Sequence, residues 1–504
     1  MFAARFISNG KGNEAQLRQA MKSYWQEYSP SIESMMLSQD ATYLAENEQN
    51  EILSYLPNYS GKKVLELGAG IGRFTSKLAT MAAHVTAVDF TQQYIDENQK
   101  QNQHLSNITF KCDDVTMLDF PAGSFDVVFS NWLFMYLSDE EVSTTFSKIY
   151  DWLTPGGYFF LRESCYHKSG NVKYTENPTL YRAPLDYLQM LRVSSRDKPG
   201  CYKIIRAKNI LVYIQHNGNP NQLCFLVQQM ENEESTPLKQ HLESVFAINS
   251  FTALERVFGY NWCSTGGELS HRDFSARLGL RPGQRVLDVG CGTGGAATFM
   301  ARHYGVHVHG VDLSSDMIFK AIERQGKLES RVKRRIQFEM SSIMEVDYED
   351  GIYDVIYSKG TILYIKDKQE LFKKFYRWLR PGGTLFIVDH CYTTSQLSPD
   401  LLNYIQNIRH QCLLTIESFV AQLKAAGFED VKTQNLREDF IKYKEMELNF
   451  LTSTREAFIQ EFSQNEFNKM FSGLSASNRW IKEGQFAWGA FTAHKRFRED
   501  LNNK

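Results

Sequence analysis

Two glycine-rich turns carry residue types that could bind a nucleotide-like ligand. One lies in VLELGAGIGRFTSKLA (64–79) and the other in VLDVGCGTGGAATFMA (286–301). In each, a β-branched apolar run precedes the glycines and an amphipathic run follows, which predicts a strand, a tight turn and a helix. Glycines here let the backbone approach a ligand closely, and the N–H groups of the helix N-terminus point toward it. The glycines are Gly68, Gly70 and Gly72 in the first turn and Gly290, Gly292 and Gly294 in the second.

An aspartate follows each turn at the end of the next predicted strand. Asp89 ends VTAVD and Asp312 ends VHGVD, each about 20 residues after the first glycine of its turn. A carboxylate at that distance accepts hydrogen bonds from a ribose diol. Nucleotide-dependent dehydrogenases and methyltransferases that use S-adenosylmethionine (SAM) share this spacing, so it does not distinguish between them.

Two further features of the first copy favour SAM. Glu66 stands two residues before the first glycine, where a carboxylate suits a sulfonium and an ammonium but would hinder a pyrophosphate. Asp114 ends a third predicted strand at the depth of an adenine amino group, and Val115 follows it. Each has a structural alternative, since Glu66 could pair with a buried basic residue and Asp114 could cap a helix.

The two turns belong to an internal duplication. Further pairs of similar segments follow them at nearly constant separation: SFDVVFSNWLFMYL matches IYDVIYSKGTILYI, and DWLTPGGYFFLRES matches RWLRPGGTLFIVDH. Strand-like and helix-like runs alternate in each copy, which predicts an α/β fold with two tandem Rossmann-like domains. NILVYI (209–214) and QLCFLVQQM (222–230) are expected to form a hairpin that closes the first sheet. The charged segment beginning at Glu231 marks the boundary, giving domains 1–235 and 236–504.

Composition excludes several function classes. The 56 basic and 58 acidic residues give a net charge of −2, with no broad basic face for nucleic acid. The eight cysteines are scattered, without metal-ligand spacing, which indicates reduced thiols in the cytoplasm and no metal site. Apolar runs fall short of the roughly 18 residues that a membrane helix needs, so we expect no stable membrane insertion. The sequence does not indicate an oligomeric state.

The chain resembles the tandem-domain phosphoethanolamine N-methyltransferases. The resemblance lies in specific strings: SYWQEYSPSIESMML, LELGAGIGRF, RESCYHKSG, NPTLYR, RVFGYNWCSTGG and YDVIYSKGTIL. It implies two class I SAM-dependent methyltransferase domains, of which the first methylates the amine of phosphoethanolamine and releases S-adenosylhomocysteine, on the route to phosphocholine and phosphatidylcholine. The partner implied is thus a small phosphobase.

The resemblance also assigns positions in the first domain. Those matching cofactor contacts are Gly68, Arg73, Asp89, Asp114, Val115 and Asn131. Those matching substrate contacts are Ser164, Ser169, Gly170 and Tyr181, together with Tyr174, which stands where plant relatives have a basic residue, and its neighbour Lys173. Hydroxyls, backbone N–H groups and cations in this segment suit a phosphomonoester dianion.

The second domain departs from the family at its substrate site. Gly290, Gly292 and Asp312 keep the cofactor pattern, but seven family positions carry another residue type: Phe246, Leu254, Gly360, Tyr364, Gln411 and Ser477 at the substrate site, and Ser342 at the adenine edge of the cofactor site. Tyr364 replaces the family's catalytic histidine and Gly360 its aspartate. We expect a domain that has lost the family reaction; the alternative is that it completes the later methylations with rebuilt contacts.

Tyr24 is the candidate that orients the amine in the first domain. Tyr24, Trp25 and Tyr28 precede the cofactor fold, where a lid with aromatic faces could hold an ammonium by cation–π attraction. The alternative is a helix packing stripe. For the whole chain, the alternative to an enzyme is a scaffold protein that binds SAM without catalysing a reaction.

Overall fold

The computed structural model describes residues 19, 23–36, 41–167, 179–195, 197–198, 200–231, 248–394 and 396–497. The chain divides into two compact units, Met1–Glu234 and Ser235–Lys504. Each unit contains parallel strands flanked by helices, which confirms the predicted α/β class.

The first unit builds its sheet from strands that alternate with helices. Its strands are β1 (Lys63–Leu67), β2 (His84–Asp89), β3 (Ile108–Cys112), β4 (Phe125–Asn131), β5 (Leu153–Ser164), β6 (Cys201–Asn209) and β7 (Gln222–Met230). Its helices are Ile32–Met36, Ala41–Leu53, Thr75–Ala79, Gln92–Asn102, Asp139–Trp152, Pro184–Ser194 and Leu211–Asn217, with a 3₁₀ turn at Phe134–Tyr136.

Strand order in the first unit determines where a ligand can bind. The order is β6-β7-β5-β4-β1-β2-β3; β1 to β5 are parallel, and β7 is antiparallel to both β5 and β6. The direction of winding reverses between β1 and β4. In such sheets ligands bind at the carboxyl ends of the strands beside the reversal. The glycine turn after β1 lies there.

One strand of the predicted hairpin is confirmed, and the other is wrong. QLCFLVQQM forms β7, but NILVYI does not form its partner, because residues Leu211–Asn217 are a helix and β6 pairs with β7 instead. The carboxylate of Glu51, from the helix Ala41–Leu53, accepts hydrogen bonds from the N–H groups of Leu211 and Val212 at 2.6 and 2.9 Å. A side chain distant in sequence therefore caps this helix, and local apolar pattern could not reveal it.

The second unit repeats the architecture and adds a helical insertion between β14 and β15. Its strands are β8 (Arg285–Val289), β9 (His307–Asp312), β10 (Ile336–Ser341), β11 (Tyr353–Lys359), β12 (Leu379–Tyr392), β13 (Leu414–Thr415), β14 (Glu429–Asn435) and β15 (Phe486–His494). The order is β14-β15-β12-β11-β8-β9-β10, with β13 beside β12. Its helices are Ile248–Phe258, Gly267–Ala276, Gly295–Tyr304, Ser315–Gly326, Ser330–Lys333, Lys368–Trp378, Pro399–Asn403, Ile416–Ala425, Arg437–Ser453, Arg455–Glu461 and Gln464–Lys482. A 3₁₀ turn (Ile362–Tyr364) and a π-helix (Tyr404–Ile408) complete it.

A buried charge network lies within the first unit. Glu48 is fully buried; its Oε2 is 2.9 Å from Nη2 of Arg162, and its Oε1 contacts the guanidinium of Arg73. Arg162 is also fully buried and lies 3.5 Å from the ring centroid of Trp132. A buried charge without a partner has a large desolvation penalty. The carboxylate of Glu48 offsets this penalty for Arg162.

Glu48→Gln should destabilise the first unit by about 3 kcal/mol, because the arginine charge would remain buried without its anion. The measurement is the urea midpoint of the transition in which the first unit unfolds. Glu46→Gln, on the exposed face of the same helix, is the matched control and should leave that midpoint unchanged. Equal midpoints for both variants would contradict the proposed role of Glu48.

Candidate functional site

A pocket opens at the carboxyl ends of β1, β2 and β4 in the first unit. Residues from all three strand ends, from the segment after β3 and from the N-terminal helical turn line it: Trp25, Leu67, Gly68, Val88, Asp89, Phe90, Asp113, Asp114, Val115, Leu133, Tyr136 and Leu137. Four predicted cofactor contacts, Gly68, Asp89, Asp114 and Val115, are thus brought together.

The glycine turn requires its glycines for two reasons. Gly68, Gly70 and Gly72 have φ of 71°, 53° and 88°, in the left-handed region that other residues rarely adopt. A Cβ on Gly72 would also lie 2.3 Å from Oδ1 of Asn98, closer than atoms can approach. The turn therefore presents its backbone, without side chains, beside the pocket.

Asp89 connects the turn to the next helix. Its Oδ2 accepts a hydrogen bond from the N–H of Gly70 and its Oδ1 one from the N–H of Thr91, both at 2.9 Å. Burial raises the pKa of Asp89 to about 6, while these N–H groups oppose that increase. The carboxylate is therefore mostly ionised at pH 7, held in one orientation, and retains lone pairs for ligand hydroxyls.

Glu66 lies below the glycine turn and is buried. Its Oε2 accepts a hydrogen bond from the hydroxyl of Thr75 at 2.6 Å, and among the described residues no basic side chain forms an ion pair with it. Burial is the main cause that raises the pKa of Glu66 to about 8, and the nearby charge of Asp89 adds to it. A cation bound nearby would favour its ionised form.

Asp114 and Val115 form the wall of the pocket after β3. Oδ1 of Asp114 accepts hydrogen bonds from the N–H and the hydroxyl of Thr116, at 3.0 and 2.8 Å. Asp114 therefore stabilises a local turn. This role is similar to the helix capping that the sequence offered as its structural alternative, but Asp114 also lines the pocket. Val115 is buried and contributes an apolar side chain to the pocket wall.

Arg73 and Asn131 are not among the residues that line this pocket. Arg73 pairs with Glu48, as described above, and Oδ1 of Asn131 accepts a hydrogen bond from Nη1 of Arg162 at 3.4 Å. Both therefore belong to the buried charge network. Glu48 was missed by sequence analysis, and no motif identifies it, because its partners lie 25 and 114 residues away in the chain.

Sequence analysis also missed a clamp that holds the segment Leu133–Leu137, which contributes residues to the pocket. The carboxylate of Glu163, at the end of β5, accepts hydrogen bonds from the N–H groups of Leu133, Phe134 and Met135, at 3.0, 2.7 and 3.2 Å. Arg182 donates to the carbonyl oxygens of Phe134 and Leu137, at 2.8 and 2.5 Å. Burial raises the pKa of Glu163 to about 7.

Comparison of the two copies of the repeat could have identified the acidic residue of this clamp. The residue matching Glu163 in the second copy is Asp389, and its Oδ2 accepts a hydrogen bond from the N–H of Leu363 at 2.7 Å. An acid thus stands in the last four residues of the fifth strand in both copies.

Aromatic rings cover one side of the pocket. The ring centroids of Trp25 and Tyr136 are 5.5 Å apart, and those of Tyr24 lie 5.4 Å from Trp25 and 4.9 Å from Tyr28. The ring of Tyr24 therefore packs directly against that of Trp25, which lines the pocket. Burial raises the pKa of Tyr136 well above its usual value, so this phenol stays protonated and cannot act as a base at neutral pH.

The predicted substrate contacts are only partly within the described structure. Ser164 is buried, and its hydroxyl is 3.2 Å from Oε1 of Gln222. Tyr181 is half-buried, which raises the pKa of its phenol, and it interacts electrostatically with Tyr136. Four others lie outside the described residues: Ser169, Gly170, Lys173 and Tyr174.

The second unit repeats the glycine-aspartate connection. Gly290 and Gly292 have positive φ, and the N–H of Gly292 donates to Oδ2 of Asp312 at 2.9 Å. The N–H of Ser314 donates to Oδ1 of Asp312, also at 2.9 Å. Asp288 stands where Glu66 stands in the first unit, and burial raises its pKa to about 8 as well. The same glycine-aspartate geometry is therefore present in both units.

The described residues contain neither a metal-binding cluster nor a membrane-spanning helix. No cluster of three or more histidine, cysteine, aspartate or glutamate side chains there could hold a metal ion. Nor does any helix in that part of the chain have both the length and the apolar character required to span a bilayer.

Comparisons with known proteins agree with this geometry. Family models described as "Methyltransferase domain" match residues 64–157 and 267–433. "Phosphoethanolamine N-methyltransferase 1" of Zea mays is 39% identical over 98% of this chain and 100% of its own. "Phosphoethanolamine N-methyltransferase 3" of Arabidopsis thaliana is 40% identical over 95% of this chain and 98% of its own.

A solved structure has the same fold along both units. It is phosphoethanolamine N-methyltransferase 2 of Haemonchus contortus in complex with S-adenosyl-L-methionine. The TM-score is 0.72 at 22% sequence identity, and the match covers 90% of this chain and 99% of that one. The plant relatives align over nearly the full length of the chain, so it belongs to the phosphoethanolamine N-methyltransferase family.

Proposed function

We propose that the first unit transfers a methyl group from SAM to the amine of phosphoethanolamine, at least for the first methylation on the route to phosphocholine. The observation that carries this proposal is the pocket in which Asp89, held by the N–H of Gly70, lies with Asp114 and Val115 beside a glycine turn. Membership of the family supports the choice of phosphobase as substrate. None of the eight cysteines, all of which lie in the described residues, forms a disulfide bond, which supports a reducing, cytoplasmic location.

The residues of the pocket suit the parts of SAM. The ionised carboxylate of Asp89 would accept hydrogen bonds from ribose hydroxyls, and Asp114 and Val115 would hold the adenine. Glu66 would become ionised beside the cationic end of the ligand. We assign Arg73 and Asn131 a supporting role here, through the charge network of Glu48 and Arg162. When bound, SAM supplies an electrophilic methyl group on a sulfonium.

The chain's own residues must align the amine and exclude water. A primary ammonium has a pKa of about 10, as lysine does, so it must lose a proton before it can attack. Tyr136 remains protonated and therefore cannot be the base that takes this proton. We propose that the rings of Tyr24 and Trp25 hold the substrate amine, with the hydroxyl of Tyr24 orienting it.

The phosphate of the substrate would lie at the segment that follows β5. We propose hydrogen bonds from the hydroxyls of Ser164, Ser169 and Tyr181, from the N–H of Gly170, and a cation from Lys173, with Tyr174 beside it. The second unit would support the first without performing the family reaction, since Gly360 has no side chain. The hydroxyl of Tyr364 accepts a hydrogen bond from Arg409 at 3.4 Å.

Asp89→Asn should raise the Kd for S-adenosylhomocysteine at least about tenfold, because the amide is uncharged and places an NH2 donor where a carboxylate oxygen accepted, and a hydrogen bond to a charged group contributes about 1.5–3 kcal/mol. Isothermal titration of the full-length chain measures it. Asp96→Asn, exposed on the helix Gln92–Asn102, is the control and should bind like the wild type. Unchanged affinity in Asp89→Asn would contradict the assignment of this carboxylate.

Tyr24→Phe should lower kcat with phosphoethanolamine at least about tenfold while the Kd for SAM is retained, because the variant keeps the ring and loses only the hydroxyl. Tyr43→Phe, on an exposed tyrosine, is the control. A kcat equal to that of wild type would remove Tyr24 from the mechanism.

Mass spectrometry of products tests the function as a whole. With phosphoethanolamine and SAM, the full-length chain should form the monomethyl phosphobase, and Asp89→Ala should form none, because its ribose contact is lost. Absence of any methylated phosphobase from the wild type would overturn the proposal. Trimethylated product would instead support an active second unit.

A further inference from the structure

Trp132, which follows β4, adopts a backbone conformation that a bulky residue rarely takes. Its φ is 58°, in the left-handed region, whereas the matching residue of the second unit is Gly360, with a φ of 67°. The N–H of Trp132 donates to the carbonyl oxygen of Arg162 at 2.8 Å, and that of Gly360 donates to Val388 at 2.9 Å. Glycine adopts this conformation without strain, but tryptophan does not. The strain in the first unit therefore points to a role for the tryptophan side chain.

A hydrogen bond and a stacked cation hold the indole of Trp132. Its Nε1–H donates to Oε1 of Gln222 at 3.0 Å, and the guanidinium of Arg162 lies 3.5 Å from its ring centroid. Arg162 is fully buried and paired with Glu48, so the indole packs against a side chain that is itself fixed. Gln222 is fully buried as well. The indole nitrogen therefore meets the amide of Gln222 in one defined arrangement.

The indole determines which way the amide of Gln222 faces. An indole N–H can only donate a hydrogen bond, so it must meet the amide oxygen and not the amide nitrogen. The nitrogen then faces Ser164: Nε2 of Gln222 donates to Oγ of Ser164 at 3.0 Å. Ser164 and Gln222 are cross-strand partners in β5 and β7, so the pairing of the two strands places their side chains beside each other.

With the amide in this orientation, the hydroxyl of Ser164 is suited to donate a hydrogen bond. A hydroxyl has one O–H donor and two acceptor lone pairs, and Nε2 of Gln222 donates to one of these lone pairs. The O–H can donate to Oε1 of Gln222, at 3.2 Å, or to a stronger acceptor. A phosphate oxygen is a stronger acceptor, because hydrogen bonds to ionised groups are shorter and stronger than neutral ones.

We propose that Trp132 and Gln222 are positioning residues of the first unit, which orient the hydroxyl of Ser164 to donate to the phosphate of the substrate. The inference deepens the proposed function and rests on it, because the contact between Ser164 and phosphate belongs to that proposal. Neither positioning residue needs to touch the substrate: Trp132 fixes the amide, and the amide fixes the hydroxyl. Since Leu133, the next residue, lines the pocket, the same contacts connect the pocket to the segment that follows β5.

The second unit has the same backbone here but none of these side-chain contacts. The residues of the second unit that match Trp132, Arg162, Ser164 and Gln222 are, in that order, Gly360, Val388, His390 and Trp488. Gly360 has no side chain and Trp488 has no amide, so neither the indole–amide nor the amide–hydroxyl bond can form there. The strained residue is thus found together with its partners in the unit for which we propose methyl transfer.

A double-mutant cycle on the full-length chain tests the proposal, with the initial rate of monomethyl phosphobase formation as the measurement. Ser164→Ala should raise the KM for phosphoethanolamine at least about tenfold, because a hydrogen bond to a charged group is lost. Gln222→Met should raise this KM at least about threefold and leave kcat near the wild-type value, because the hydroxyl remains but is no longer oriented. Adding Gln222→Met to Ser164→Ala should raise the KM no further.

Trp132→Phe is an independent route to the same hydroxyl. It keeps a ring beside Arg162 and removes the N–H that fixes the amide, so the KM should rise in the wild-type background and not in Ser164→Ala. Gln228→Met is the matched control on β7. It loses a hydrogen bond from Nε2 to the carbonyl oxygen of Gly156, 2.9 Å long, and should leave the KM unchanged.

Thermal melting establishes that each variant is folded, and Trp132→Phe decides the question if Gln222→Met unfolds. A wild-type KM in the folded variants of Gln222 and Trp132, or the same fold-increase with and without Ser164, would overturn the inference while the proposed function stands. A wild-type KM in Ser164→Ala would remove the phosphate contact and the inference with it. Absence of methylated product from the wild type would instead overturn the proposed function itself, on which the inference rests.

Discussion

One hydrogen bond recurs in both units, and the candidate sites depend on it. It joins the second glycine of the turn to the aspartate that ends the next strand: Gly70 to Asp89 and Gly292 to Asp312, each at 2.9 Å. The two glycines have nearly the same positive φ, 53° and 54°. Because only glycine adopts this backbone without strain, the N–H direction and the carboxylate orientation are fixed together. The carboxylate that we propose for ribose binding is therefore oriented by the fold itself.

The two copies differ in the charged side chains that lie outside the glycine turn. In the first unit Glu163 and Arg182 clamp the segment Leu133–Leu137, and aromatic rings cover the pocket. In the second unit the corresponding acid is Asp389, and buried lysines gather near His390 instead. The glycine-aspartate connection is thus common to both copies, whereas the charged side chains around it differ.

Sequence analysis predicted the parts that follow from local spacing. The strands, the glycine turns and the placement of Asp89 and Asp312 at the ends of the next strands depend on short-range pattern, and comparison of the copies reinforced each assignment. The helix Leu211–Asn217 was mistaken for a strand because its cap, Glu51, is distant in sequence. The partner of Arg73 was missed for the same reason, since Glu48 belongs to another helix. The roles of Ser169, Gly170, Lys173 and Tyr174 stay predictions.

The central claim is that methyl transfer to phosphoethanolamine occurs in the first unit. Single-turnover rates with methyl-labelled SAM, measured on full-length Asp312→Asn and Asp89→Asn chains, test it most directly. The account predicts a wild-type rate of first methylation for Asp312→Asn and at least about a tenfold loss for Asp89→Asn, in line with the cost of one charged hydrogen bond. A loss confined to Asp312→Asn would place the chemistry in the second unit and contradict the account.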